Sequence, residues 1–167
     1  MYSINMIETY NESSVHKSLK KIYKTSYLAE EEVKTQGFVC DLLTKNNEII
    51  EIQTKNLGAL NKKIKTLAKK GYSLRIVFPL VNKKIIQTID NSGVLLSKRK
   101  SPKKEDIFSL FRELIHFYPV FDLDNWILEV LCIEQLEIRK KMNEKVQNKT
   151  NTRRFLKDWI ILDKKLL

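Results

Sequence analysis

Residues 38–56 read FVCDLLTKNNEIIEIQTKN, and the way this stretch pairs with itself decides the fold. Two short apolar runs flank a polar Lys45-Asn46-Asn47 turn, the sequence form of a β-hairpin. Side chains alternate along a strand, so Glu51, Gln53 and Lys55 should share one face and Ile50 and Ile52 the other. With Asn46 at the tip of a three-residue loop, Asp41 falls opposite Glu51 on that same face. Two carboxylates facing each other across paired strands repel, at a cost of up to about 1 kcal/mol. A divalent cation between them removes that repulsion, and oxygen ligands of this kind suit Mg2+ or Mn2+. The plain alternative is a hairpin with two solvated acids.

The charge of the chain points the same way. It carries 31 Lys and Arg against 20 Asp and Glu, a net +11. Between Lys55 and Lys104 fourteen basic residues face one acid, Asp90, so that segment is +13 and the remainder −2. A field of this size attracts polyanions and makes salt-sensitive phosphate contacts. Nucleic acid, DNA in the first instance, is the expected partner, and no membrane contact is expected. No amphipathic basic helix with exposed aromatics stands out, and no apolar run approaches the length of a membrane span. The first residues lack the basic and apolar regions of a signal peptide, so the cytosol is the expected compartment. Cys40 and Cys132 both sit in apolar runs and read as small buried hydrophobes.

Elimination narrows the chemistry. The glycines at 37, 58, 71 and 93 form neither a P-loop nor a dinucleotide-binding turn. No CxxC or HExxH pattern supports a zinc site, and His16 and His116 are too few for a histidine-rich metal nuclease. No G-x-S-x-G elbow is present. A hard cation held by carboxylates survives.

Along the chain, residues 12–24 form a first helix with Asn11 as N-cap and Val15, Leu19, Ile22 and Tyr23 on its inner stripe. Residues 57–70 form a second, ended by Gly71, with Leu60, Ile64, Leu67 and Ala68 inward. Leu74 to Phe78 is a buried strand closed by Pro79, and strand–helix–strand order implies parallel pairing. A second hairpin turns at Asp90-Asn91-Ser92-Gly93. Residues 105–117 form an amphipathic helix through Ile107, Phe108, Phe111, Leu114 and Ile115, and the aromatics at 108, 111, 117, 118, 126 and 159 are assigned to the core. Residues 126–141 begin as strand or helix and end as helix, and residues 143–152 read as a polar, mobile stretch. The expected fold is α/β: a mixed central sheet flanked by helices over residues 1–100. A mainly helical C-terminal extension, residues 101–167, packs on it as a nucleic-acid-binding appendage.

An Asp followed about ten residues later by Glu-x-Lys resembles the PD-(D/E)xK nuclease superfamily; here Asp41, Glu51 and, in the place of the lysine, Gln53 stand at those positions. The segments ESSVHKSLKKIY (residues 12–23), GFVCDLL, EIIEIQTKN, LRIVFPL and SKRKSPKK together are similar to a family of small prokaryotic proteins with a PD-(D/E)xK-like core and an EIQT-type motif. The resemblance covers residues 8 to about 118. It implies a nuclease-like core and a Mg2+-dependent endonuclease with Asp41 and Glu51 as metal ligands. Glu12 lies where helix-borne acids of the superfamily help to bind metal, and His16 follows one helical turn on. Gln53 can hold a water through its amide oxygen but supplies no positive charge. Lys55, ~7 Å further along the same strand face, either replaces that charge or is a solvated strand-end lysine. Lys62, Lys63, Lys98, Arg99, Lys100, Lys103 and Lys104 are the expected phosphate contacts, the last five around Ser101-Pro102, with Arg153 and Arg154 as a weaker second patch. A catalytically silent nucleic-acid-binding module on the same fold, and an interaction subunit that engages an acidic protein, are the alternatives. Homodimerisation, or assembly into a larger nucleoprotein complex, is left open.

Overall fold

The computed structural model describes residues 14–147 and 152–167, the side chains of 142–147 and 152–156 excepted. Asn11 and Glu12 therefore lie outside the described residues. The hairpin belongs to a mixed sheet that has seven strands among the described residues. β2 (Phe38–Leu43) and β3 (Glu48–Ile52) pair antiparallel with Leu42 opposite Ile50 and Leu43 opposite Ile49. That register follows from the loop. Asn47 takes a left-handed φ of 62°, its N–H reaches the Thr44 carbonyl at 3.2 Å, and the Thr44 N–H reaches Glu48 O at 2.9 Å. This is the three-residue connection built on a tight turn with a left-handed third residue, which asparagine tolerates well.

Ahead of it, β1 (Glu30–Thr35) pairs with β2 through a two-residue turn, Gln36-Gly37, in which both residues have positive φ. That is the hairpin turn whose twist matches the strands it joins. The periodicity did not announce β1, because Glu30-Glu31-Glu32-Val33-Lys34-Thr35 has almost no apolar side. The charges suit an edge strand, where they discourage pairing with another chain.

After β3 the chain makes a short 3-10 turn (Leu57–Leu60) and α2 (Asn61–Lys69), then returns as β4 (Ser73–Ile89), parallel to β3. The end of α2 is a Schellman motif: the Tyr72 N–H bonds Leu67 O, the Gly71 N–H bonds Ala68 O, and Gly71 holds a φ of 83°. The strand expected to close at Pro79 continues for seventeen residues. Pro79 is accommodated because β3 stops at Ile52, opposite Val77, and the Gln53 N–H takes the Val77 carbonyl on that edge. Two residues on, the same edge has no ladder bond for a proline to lose. The second hairpin is present. Asp90 accepts the N–H groups of Ser92 and Val94 across its turn, and β5 (Leu95–Lys100) pairs with the far half of β4.

The C-terminal part differs from the mainly helical extension expected. Among the described residues after 100, only α3 (Ile107–Phe117), followed by a 3-10 turn (Tyr118–Val120), is helical. β6 (Trp126–Gln147) lies parallel beside β4 in the same sheet, and β7 (Thr152–Leu166) pairs antiparallel with β6. The stretch EQLEIRKK, expected as helix, alternates Gln135, Glu137 and Arg139 against Leu136 and Ile138, a two-residue period that a strand satisfies. Much of the expected mobile stretch 143–152 is also strand, and 148–151 lie outside the described residues.

Helices cover both faces. α1 (Ser14–Tyr27) places Val15, Leu19 and Tyr23 on Leu42, Ile50, Ile52, Val77, Leu131 and Ile133. α2 and α3 cover the opposite face through Leu57, Leu60, Ile64, Leu67, Leu110 and Phe117, which meet Ile49, Leu74, Ile76 and Leu80. Each fully buried aliphatic side chain of this kind stabilises the fold by about 1.5–3 kcal/mol relative to exposure. Cys40 is buried and Cys132 partly so, both as free thiols.

Candidate active site where the β2–β3 ladder opens

Continued by one step, the register would place Asp41 opposite Glu51, as the loop length implies. The ladder, however, does not continue past Leu42 and Ile50. Two residues that alternate regularly should face the same way, yet Cys40 packs in the α2–α3 layer and Leu42 in the α1 layer. The strand therefore turns at Asp41. On the other flank, Glu32 of β1 holds a φ of 54° and the β1–β2 pairing skips the step between Glu31↔Leu42 and Val33↔Cys40. Released on both sides, Asp41 offers its side chain in place of the missing strand bond: the Ile52 N–H donates to Asp41 Oδ2 at 2.9 Å. Glu51 reciprocates, its Oε1 accepting the Asp41 N–H at 3.2 Å.

The expectation of one shared face is corrected by this opening. Asp41 turns toward α1, where His16 Nε2 lies 3.1 Å from Oδ2. Glu51 keeps the regular alternation and faces α2, where Lys63 Nζ lies 2.6 Å from its Oε1. The same ammonium donates to the Val39 carbonyl at 2.6 Å. Four chemically distinct side chains, from both helical layers and both strands, thus converge on one gap in the sheet.

Their electrostatics differ in sign. Burial acts to raise the Asp41 pKa, but the His16 hydrogen bond and charge, the Ile52 N–H and Lys63 more than offset it and hold the carboxyl below its ordinary range. Glu51 is 4% exposed, and burial pushes its carboxyl up; the Asp41 charge adds to that and Lys63 opposes it. Beside them, burial raises the Cys40 thiol to about 11, so it is a poor nucleophile and a poor metal ligand.

The other sequence candidates fall elsewhere. β3 ends at Ile52, so Gln53 and Lys55 do not extend its face. The Gln53 amide donates to the carbonyls of Lys55 at 2.6 Å and Asn56 at 3.2 Å, which ties down the loop after the strand. Lys55 is exposed. Lys63, expected on the phosphate surface, is instead inside the site, while Lys62 beside it is exposed. Lys98, Arg99, Lys100, Lys103 and Lys104 are all exposed on β5 and the loop that follows. Arg153 and Arg154 lie on the backbone of β7, their side chains outside the described ones. Lys63 is the residue that sequence reasoning left out of the site. The available signal was its place after the crossover turn, where the first turns of α2 must pass the end of β3.

Several of the fourteen basic residues are neutralised. Arg75 is held by Glu48 and Glu129, Lys83 by Glu134, and Lys84 approaches Glu137 at 3.7 Å. The exposed remainder falls on two stretches: Lys55, Lys62, Lys65, Lys69 and Lys70 on and beside α2, and Lys98, Arg99, Lys100, Lys103 and Lys104 on β5 and its following loop. As for metal, among the described residues no three His, Cys, Asp or Glu gather as a ligand group. Carboxylates are the donor type that Mg2+ or Mn2+ takes, commonly one or two with water completing the shell. Both Asp41 contacts fall on Oδ2, which leaves Oδ1 without a hydrogen bond among the described residues.

A family model described as a domain of unknown function (DUF8091) matches residues 13–167. An uncharacterized protein of Treponema pallidum (strain Nichols) is 29% identical over 161 residues, covering 96% of this chain. The chain spans 61% of the length of that relative. No solved structure matches it. Among the described residues, no helix is long and apolar enough to cross a membrane.

Proposed function

The chain belongs to the DUF8091 family, and from that premise we propose that it is a metal-dependent endonuclease of PD-(D/E)xK type that hydrolyses phosphodiester bonds, with DNA as the first substrate to test. The observation that carries the proposal is the Lys63–Glu51 contact at 2.6 Å beside Asp41. It would supply from α2 the cation that Gln53, just past β3, cannot. Asp41 and Glu51 are the residues that would hold Mg2+ or Mn2+. When bound, such an ion polarises the phosphodiester and activates a water for in-line attack. His16 and the Ile52 N–H keep Asp41 ionised and oriented. Lys63 is the cation that would offset negative charge building on the phosphate, and groups in that role commonly contribute two to three orders of magnitude in rate, about 2.7–4 kcal/mol.

The test is incubation of the purified protein with plasmid, single strands and RNA in Mg2+, Mn2+ or EDTA, alongside Asp41→Asn and Glu51→Gln. Metal-dependent cleavage that both substitutions abolish, with binding retained, is the expected outcome. Cleavage that survives Asp41→Asn overturns the assignment. A second proposal, a silent nucleic-acid-binding module, is favoured by the same ion pair read as a structural clamp between α2 and the sheet. It prevails if the parent binds but cuts nothing under any metal.

A further inference from the structure

α3 was expected to bury Phe108, Phe111 and Ile115, and it does not. Its inward stripe is Leu110 and Phe117, with Ile107 and Leu114 partly covered. The opposite stripe, Phe108, Phe111, Ile115 and Tyr118, is 69, 53, 65 and 68% exposed. The Phe108 and Phe111 rings meet edge to face at 6.4 Å, and Tyr118 extends the row past the helix end. Large rings in a line on an exposed helix face, at helical spacing, call for a ligand with flat apolar surfaces.

The chain that leads into this helix says which ligand. Lys98, Arg99, Lys100, Lys103 and Lys104 are exposed, and none has an ion-pair partner among the described residues. The loop that bears the last two is pinned to β4 on either side: the Ser101 N–H bonds Lys84 O at 2.8 Å, and the Glu105 N–H bonds Val81 O at 2.8 Å. The nearby acids are turned onto backbone. Glu105 accepts the Val81 N–H, Asp106 caps α3 through Ser109, and Glu113 accepts the Leu57 N–H. A basic ribbon that runs directly into a row of exposed rings has the two elements that hold a single strand: cations for phosphates and platforms for unpaired bases. A duplex offers phosphates but keeps its bases stacked on each other.

We infer that the outer face of α3, together with the ribbon from Lys98 to Lys104, binds unpaired nucleic-acid strand, and so directs the proposed nuclease toward single-stranded or branched substrates. This specificity rests on the proposed phosphodiesterase, although the binding surface itself does not. α3 is tied to the segment that follows β3, because Glu113 accepts the Leu57 N–H and the Asn61 side-chain amide, at the start of α2, donates to the His116 carbonyl.

The experiment uses the full chain in EDTA, with fluorescein-labelled dT20, U20 and a 20-base-pair mixed-sequence duplex titrated by anisotropy across salt concentrations. The parent should bind a single strand more tightly than the duplex, dT20 or U20 alike supporting the site and the tighter naming the sugar. Replacing Phe108 and Phe111 together by Ala should weaken single-strand binding about ten-fold or more, since one stacked base typically contributes about five-fold or more. The salt slope should not change, because no phosphate contact is lost. The same pair replaced by Leu should lose as much, which separates stacking from generic apolar contact. Lys98→Ala with Arg99→Ala and Lys100→Ala should instead flatten the salt slope. Single-strand affinity within two-fold of the parent in the Ala pair overturns the inference. So does full retention in the Leu pair, or a shift from dimer to monomer on sedimentation at unchanged affinity, which would assign the face to a second copy of the chain. Asp41→Asn leaves this surface intact, so a failure of strand binding and a failure of cleavage are read separately.

Discussion

The Lys63 ammonium lies 2.6 Å from the Glu51 carboxylate and 2.6 Å from the Val39 carbonyl. One side chain of α2 thus bridges β2 and β3 at the point where their own ladder has stopped. Both charged groups of the pair are largely withdrawn from water, with Lys63 at 13% and Glu51 at 5% side-chain exposure.

Breaking such a pair from one side leaves an uncompensated buried charge. Lys63→Met should therefore destabilise the fold by about 3 kcal/mol. The double substitution with Glu51→Gln should recover much of that loss, since neither charge then remains. Urea midpoints of the two single variants and the double variant measure the coupling directly. Additive losses would show that the two side chains do not stabilise one another.

The carboxylates should give opposite pH signatures. Glu51 is raised above its ordinary 4.5, chiefly by burial. Its contribution is thus fully present below 4.5 and is lost as pH rises through the folded value. Asp41 is lowered below 3.8, because His16 and the Ile52 N–H outweigh its burial. Its contribution is present above 3.8 and is lost as pH falls through the folded value. The stability advantage of the parent over Glu51→Gln should shrink as pH increases from 4.5, and its advantage over Asp41→Asn should shrink as pH decreases from 3.8. Urea unfolding at stepped pH reads both slopes.

Between Lys63 and Lys55, the two candidates for the missing positive charge, activity should discriminate sharply. Lys63→Met should lower the cleavage rate by about 100-fold or more, in line with loss of one electrostatic stabiliser. Lys55→Ala should change it less than about three-fold, because this side chain is exposed past the end of β3. Gln53→Lys should add little, since the charge is already in place. A Lys55→Ala variant as inactive as Lys63→Met would transfer the role back to the strand. The check is initial rates on a single substrate at saturating metal.

Gly58 offers a test of how α3 is docked. A Cβ at this position would lie 3.0 Å from both the Cβ and the carbonyl oxygen of His116. Backbone cannot withdraw from such a contact as a flexible side chain can. Gly58→Ala should cost about 1–3 kcal/mol, the range for overpacking. It should lower the urea midpoint without changing the slope of the transition.

Much of the site was legible in the sequence because it depends on short-range geometry. Lys45-Asn46-Asn47 sets a three-residue loop, the loop sets the register of Leu42 with Ile50, and that register brings Asp41 and Glu51 close enough for each side chain to bond backbone of the other strand. The helix–strand crossover after it, closed by Gly71, follows from equally local signals. Local sequence could not show that the ladder opens at Asp41, since that depends on Glu32 of a charged strand with no apolar period to reveal it. Nor could it choose between the two stripes of α3. Residues 107, 110, 114 and 117 and residues 108, 111, 115 and 118 are both apolar at helical spacing, and only packing against the 3-10 turn after β3 selects the first. The β6 pattern was ambiguous for a related reason: an element buried beside a long central strand takes its conformation from that neighbour. The sequence by itself determined the hairpin, its register and the segment that carries the surplus positive charge, because turn chemistry and alternation act over a few residues. Tertiary structure alone decided that Lys63 pairs with Glu51 and that the rings of α3 face solvent, because both depend on where distant helices come to rest on the sheet.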